Sequence, residues 1–86
     1  MMDRKEILTE LKKVLALYTG SPEILDQINE QTDMLRDLHI NSSNLVDIII
    51  DAEEKYNIEF DPESIEKMIT VGSCIDIILQ KMNEKV

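Results

Sequence analysis

Cysteine occurs once in this chain, at Cys74, and tryptophan not at all. A single thiol excludes an internal disulfide. Aromatics make up 3% of the residues, so the core must be aliphatic, built from Ile, Leu, Val and Met. Glycine and proline appear twice each. Sheet-rich domains need more turn residues than that, so the composition favours an all-α fold. No apolar run approaches membrane-spanning length and the first residues lack a signal-peptide pattern. The default expectation is a cytoplasmic protein with no membrane partner. Bases are scarce: nine Lys and Arg face eighteen Asp and Glu, for a net charge of −9. Such a surface repels a phosphate backbone and argues against nucleic acid. It suits partners with basic patches instead. At 86 residues, positions 1–86 make one domain with one modest core and no room for an elaborate active site.

What is present is mostly helical signal. Asp3 followed by Glu6 resembles a capping box, and Ile7, Leu11, Val14, Leu15 and Tyr18 recur behind it at helical spacing. This predicts a first helix from about Arg4 to Tyr18, with Gly20 just past its end. The helix carries four of the nine bases: Arg4, Lys5, Lys12 and Lys13. Ser21-Pro22-Glu23 can open a helical turn, with Ile24, Leu25 and Ile28 as a short amphipathic piece. The rest, up to Asn41, reads as a long ordered loop anchored by Met34, Leu35, Leu38 and Ile40.

A second helix is expected over Ser42–Tyr56. Val46, Ile49 and Ala52 lie at helical spacing with Tyr56 one turn further, and Asp47, Asp51 and Glu54 share another face. Ile48 and Ile50 widen the apolar surface, so part of it is expected to stay exposed beside acids, as suits a docking helix. Asp61-Pro62-Glu63 is a helix start, with a short segment to about Met68. Thr70 caps a last helix with the stripe Val71, Cys74, Ile75, Ile78, Leu79 and Met82. Together these predict a small bundle of four helices.

Chemistry is thin. The one histidine, His39, has no cysteine or carboxylate at a metal-like spacing, and Cys74 reads as a small buried hydrophobe rather than a nucleophile. No hydrolase triad or glycine-rich phosphate loop is present. Eight acids and one base, Lys55, fall between Ser42 and Glu66. A solvated, solubilising face accounts for that cluster without any partner. The informative segment is Asp37-Leu38-His39-Ile40-Asn41-Ser42-Ser43-Asn44-Leu45-Val46-Asp47, which sets hydroxyls where a long loop meets an acidic helix. Asn41, Ser42 or Ser43 can cap that helix. On sequence physics alone capping is the better reading; the functional one is that a hydroxyl here is an attachment point for a phosphodiester, since a helix N-terminus favours negative charge. The two roles are compatible.

This segment resembles the modification site of the acyl carrier protein family, D-L-G-x-D-S-L followed by an acidic, apolar helix. Glu53-Glu54-Lys55-Tyr56-Asn57-Ile58-Glu59-Phe60 is similar to the family's end of the second helix. Ile69-Thr70-Val71-Gly72 with Asp76-Ile77-Ile78 is similar to the start of its last helix. The resemblance runs from the first helix to about Met82. It implies a four-helix fold with a long first loop and a short third helix. It also implies a carrier without catalysis of its own. By that resemblance a transferase would move 4′-phosphopantetheine from coenzyme A onto Ser42, and acyl groups would ride on the arm as thioesters in fatty-acid, polyketide or related biosynthesis. Ser42 is the match rather than Ser43, because Val46 and Asp47 then fall at the family's apolar and acidic positions. Asp47, Ile50, Asp51 and Glu54 are the expected contacts for the transferase and acyl-processing enzymes, with the carrier a monomer. Cargo would be shielded near Val46, Ile49, Ala52, Ile65 and Met68, although core packing is the simpler role for these.

The segment departs from the family pattern at three places: Asn41 replaces an aspartate, Ser43 a leucine and His39 a glycine. These departures leave room for a second reading, an unmodified acidic interaction module that holds a basic partner through Asp47, Asp51 and Glu54.

Overall fold

In the computed structural model, residues 3–19, 22–38 and 40–84 are described, apart from the side chains of Pro22 and Ser42. Gly20, Ser21 and His39 lie outside this description. Asp3 opens the first helix, α1 (Arg4–Leu15), by accepting a hydrogen bond from the Glu6 N–H at 2.8 Å. Ile7, Leu11 and Leu15 face inward and are fully buried. The helix ends three residues before the expected Tyr18. Leu17 and Tyr18 instead donate to Val14 and Leu15, an i→i+3 pattern that tightens the last turn. Leu17 is left exposed, while Tyr18 turns its ring against the core.

Pro22–Gln27 forms a 3₁₀ turn, with Ile28 buried just beyond it. The long loop that follows is anchored by Met34, Leu38 and Ile40, all buried as expected. Leu35 is not an anchor. It is 43% exposed, because Asp33 Oδ1 holds the N–H groups of Leu35 and Arg36 in a tight turn that leaves the Leu35 side chain outside.

The second helix, α2, runs Ser42–Tyr56, the bounds expected from the sequence. Its end is marked by Asn57 in the left-handed region (φ 54°), and Ile58 N–H reaches back to the Glu53 carbonyl. Asp61 caps the short helix α3 (Pro62–Glu66) by accepting from the Ser64 N–H at 2.8 Å. This helix stops short of Met68, because Lys67 and Met68 bond to Ser64 and Ile65 in an i→i+3 turn; Met68 itself is buried.

The last helix, α4 (Val71–Glu84), shows how the long loop is held. Four N–H groups at a helix start lack partners within the helix. Here Val71 N–H goes to the Thr32 carbonyl and Gly72 N–H to the Glu30 carbonyl, each at 2.9 Å. Ser73 N–H goes to Thr70 Oγ1 at 3.1 Å. Met34 N–H adds a bond to the Ile69 carbonyl, beside an isolated antiparallel bridge between Asp33 and Thr70. The Arg4 guanidinium ties the start of α1 to Glu30 and Asp76. The loop is therefore fastened by backbone bonds as well as apolar anchors. Val71, Cys74, Ile75, Ile77 and Ile78 complete one aliphatic core with α1 and α2.

Charge and capping pull stability in opposite directions with pH. Hydrogen bonds from the Arg36 and Leu35 N–H groups hold the Asp33 carboxyl below the ordinary value of 3.8. Ser64, through its hydroxyl and then its N–H, with Lys81 nearby, does the same for Asp61. A depressed carboxyl adds stability that is complete above its unfolded value and is lost as pH falls through the folded one. Opposing this, the −9 charge repels itself at neutral pH. The melting temperature is expected to rise with added salt at pH 7, to rise again on mild acidification, and to fall steeply below about pH 4. Thermal melts across pH and salt check this; a melting temperature indifferent to salt removes the repulsion argument.

Candidate functional site

The site is built on α2. Its first residue is Ser42, and the capping position before it is filled by Asn41, whose Oδ1 accepts from the Asn44 N–H at 2.8 Å. Of the three residues able to cap this helix, Asn41 does so. The side chain of Ser42 lies outside the described residues. Ser43 follows in the first turn with an exposed side chain. The first turn of α2 carries no acid.

Below the first turn, two faces separate. Ile48, Ile49, Ala52 and Tyr56 are buried, with Leu45 half-buried against them. Starting from Leu45, these positions follow the i, i+3, i+4, i+7 pattern of a core-facing stripe. Val46 was expected on that stripe and is not: it is 54% exposed. A helix stripe read from sequence can be rotated by one residue, and the choice of Leu45 over Val46 as its first member turns Val46 outward. Val46 and Ile50 then stand one turn apart on the outer face, with Ile50 45% exposed. Asp47 and Glu54 are exposed on the same helix. Apolar and acidic groups are thus interleaved on one outward surface of α2.

Asp51 is the exception among the expected docking acids. It is half-buried, and its Oδ2 accepts a hydrogen bond from the Tyr18 hydroxyl at 2.7 Å. That bond pushes the Tyr18 phenol up to about 12, helped by burial and by the charges of Asp51 and Asp47. A second clasp of the same chemistry crosses between these helices. The Tyr56 hydroxyl donates to Glu10 Oε2 at 2.9 Å, and Lys55 Nζ lies 3.8 Å from the same oxygen. Sequence reasoning placed both tyrosines by their apolar rings alone and had no signal for their hydroxyl partners.

Cys74 is 3% exposed in the core, and burial pushes its thiol up to about 12, so it is no nucleophile at neutral pH. Among the described residues no group of His, Cys, Asp and Glu is arranged to hold a metal ion, and no helix is long and apolar enough to cross a membrane. One surface groove of about 830 Å³ lies where the end of α2 and the residues after it meet Lys81 and Glu84. Another, of about 420 Å³, lies between the 3₁₀ turn and the long loop. Neither is lined by Val46, Ile49, Ala52, Ile65 or Met68, the residues expected to shield a cargo chain. Ile49, Ala52 and Met68 are spent on the core.

The fold and this face define a small all-α domain of four helices, with a long first loop, a short third helix and an acidic, partly apolar helix turned outward. An acyl carrier protein from Thermotoga maritima is 30% identical over 82 residues, covering 95% of this chain and 99% of that protein. One from Coprothermobacter proteolyticus is 31% identical over 84 residues, covering 98% and 100%. A crystal structure of the Thermotoga maritima acyl carrier protein superposes with a TM-score of 0.84 at 22% identity, over 99% of this chain and 96% of that one. A structure of the Enterococcus faecalis acyl carrier protein gives 0.76 at 26% identity, over 93% and 99%. No family model matches the chain. With relatives this similar over nearly their whole length, the chain belongs to the acyl carrier protein family.

Proposed function

We propose that this protein is a carrier that holds acyl intermediates as thioesters on a 4′-phosphopantetheine arm attached to Ser42, and that it performs no catalysis itself. The observation that carries the reading is the start of α2. Ser42 is its first residue, Asn41 already supplies the cap, and no acid occupies the first turn. Capping therefore makes no demand on Ser42. The opening N–H groups and the helix dipole favour the negative charge of a phosphodiester, and no carboxylate in that turn opposes it. When bound, the group supplies the thiol that carries the acyl chain. The protein's own part is to present the attachment point and, below it, a face on which enzymes dock.

That face is Val46, Asp47, Ile50 and Glu54, with Asp51 at its edge. Asp47, Asp51 and Glu54 attract basic patches on the transferase and on acyl-processing enzymes, while Val46 and Ile50 give the apolar contact that Ser43 does not. A tether that keeps cargo near a docked enzyme raises its effective concentration there. The acidic surface and the single buried thiol suit a monomer in the cytoplasm working in fatty-acid, polyketide or related biosynthesis.

The test is covalent. Incubated with a broad-specificity phosphopantetheinyl transferase and coenzyme A, wild-type protein should gain one arm by intact mass, and Ser42→Ala should gain none. An arm lost in Ser43→Ala but kept in Ser42→Ala moves the site by one residue. The altered sequence Asn41-Ser42-Ser43 favours a second reading, an unmodified acidic interaction module. It requires that wild type take no arm and that Ser42→Ala keep its biological activity, while charge reversal at Asp47 and Asp51 destroys it.

A further inference from the structure

We propose that Tyr18 is a positioning residue for the docking carboxylate of Asp51, holding it in one orientation so that a basic side chain of a partner enzyme meets it already aimed. The proposal rests on the carrier reading and names a residue of that docking face outside α2.

Tyr18 comes from the turn after α1, and its ring packs against the core, so its hydroxyl is fixed by a different element from the one that carries Asp51. The bond to Oδ2 is 2.7 Å long. Because the phenol is pushed up to about 12, it keeps its proton at any physiological pH and remains a donor. The other tyrosine clasp shows what sets this one apart. Glu10 already has a cation in Lys55, whereas among the described residues no Lys or Arg pairs with Asp51. Asp51 is therefore held in place by a neutral donor and not by a cation of the described residues.

Two effects compete. The phenol occupies acceptor capacity that a partner could use, and it also removes the freedom of the carboxylate before binding. An ionised carboxylate offers about four acceptor sites, so one phenol leaves room for an ammonium or guanidinium without being displaced. Orientation then wins. Ordering one free side chain on association typically weakens binding by about three- to tenfold, which is the size of the effect expected when the hydroxyl is removed.

Tyr18→Phe keeps the ring in the core and deletes only the hydroxyl. With the phosphopantetheinyl transferase and coenzyme A, KM for the carrier is expected to rise about three- to tenfold at low salt, with kcat kept. In an Asp51→Asn background the same substitution should add nothing. An unchanged KM, or an effect of the same size when Asp51→Asn is already present, overturns the proposal. Should wild type take no arm at all, the carrier reading fails, and the contact itself is tested separately. In Tyr56→Phe protein, whose only tyrosine is Tyr18, tyrosinate absorbance should report ionisation near 12 and fall toward 10 on Asp51→Asn. Circular dichroism on the same samples verifies the fold. Ionisation that ignores Asp51 ends the positioning role.

Discussion

Ile48→Ala is expected to lower the unfolding free energy by about 2–5 kcal/mol, whereas Ile50→Ala, two residues away on the same helix, should cost less than about 1 kcal/mol. The chemistry removed is the same; the surroundings differ. Ile48 is 1% exposed, so its truncation leaves a hole among buried residues such as Ile49 and Ala52 that packed neighbours only partly fill. The outer side chain of Ile50 already meets water and leaves no enclosed void. For a domain of this size the larger loss is a substantial fraction of total stability, and Ile48→Ala should unfold tens of degrees earlier or fail to fold. The functional effects should run the other way. Ile50→Ala should fold normally and be a poorer substrate for the loading enzyme, because it removes an exposed apolar contact from the docking face. Denaturant unfolding of both variants and steady-state loading of Ile50→Ala measure these effects. Equal destabilisation by the two substitutions would mean that the inner and outer faces of α2 have been assigned wrongly.

Gly72→Ala should destabilise the protein by about 1–3 kcal/mol, although alanine is the better helix former. Gly72 is the second residue of α4, and a glycine inside a helix ordinarily costs about 1 kcal/mol relative to alanine. On propensity alone the substitution would stabilise. The added Cβ would meet the Glu30 carbonyl oxygen at 2.8 Å and the Glu30 Cβ at 3.0 Å. The first contact is with backbone, and that same carbonyl accepts the Gly72 N–H at 2.9 Å. Relief requires the loop to back away, which strains three attachments at once: the Gly72 bond, the neighbouring Val71 bond to Thr32, and the Arg4 link to Glu30. The expected fall in melting temperature is about 5–20 °C. A rise in melting temperature would show that the loop yields freely and that its bonds to α4 contribute little.

Helix starts were the most legible feature. Asp3, Asp61 and Thr70 each accept from the N–H three residues on, as their sequence contexts predicted. Capping is chemistry between near neighbours, so a short window of sequence contains all of it. The end of α1 was less legible. Apolar spacing continued to Tyr18, but the backbone had already tightened at Leu15, because Tyr18 is drawn toward the core and to Asp51 rather than along the helix. Leu35 and Val46 failed for a related reason. Apolar residues outnumber the places in a core this small, and composition does not say which are left outside.

The amino-acid sequence by itself determined the class of fold, the bounds of the central helix and the acidic character of the surface. All of these follow from local capping, periodicity and charge count. Only the tertiary structure decided which side of α2 faces water, that Asp51 is held by a phenol from the turn after α1, and that a glycine at the head of α4 lets the long loop approach. Each of these depends on groups distant along the chain meeting within a few ångströms, and spacing along a sequence carries no information about that distance.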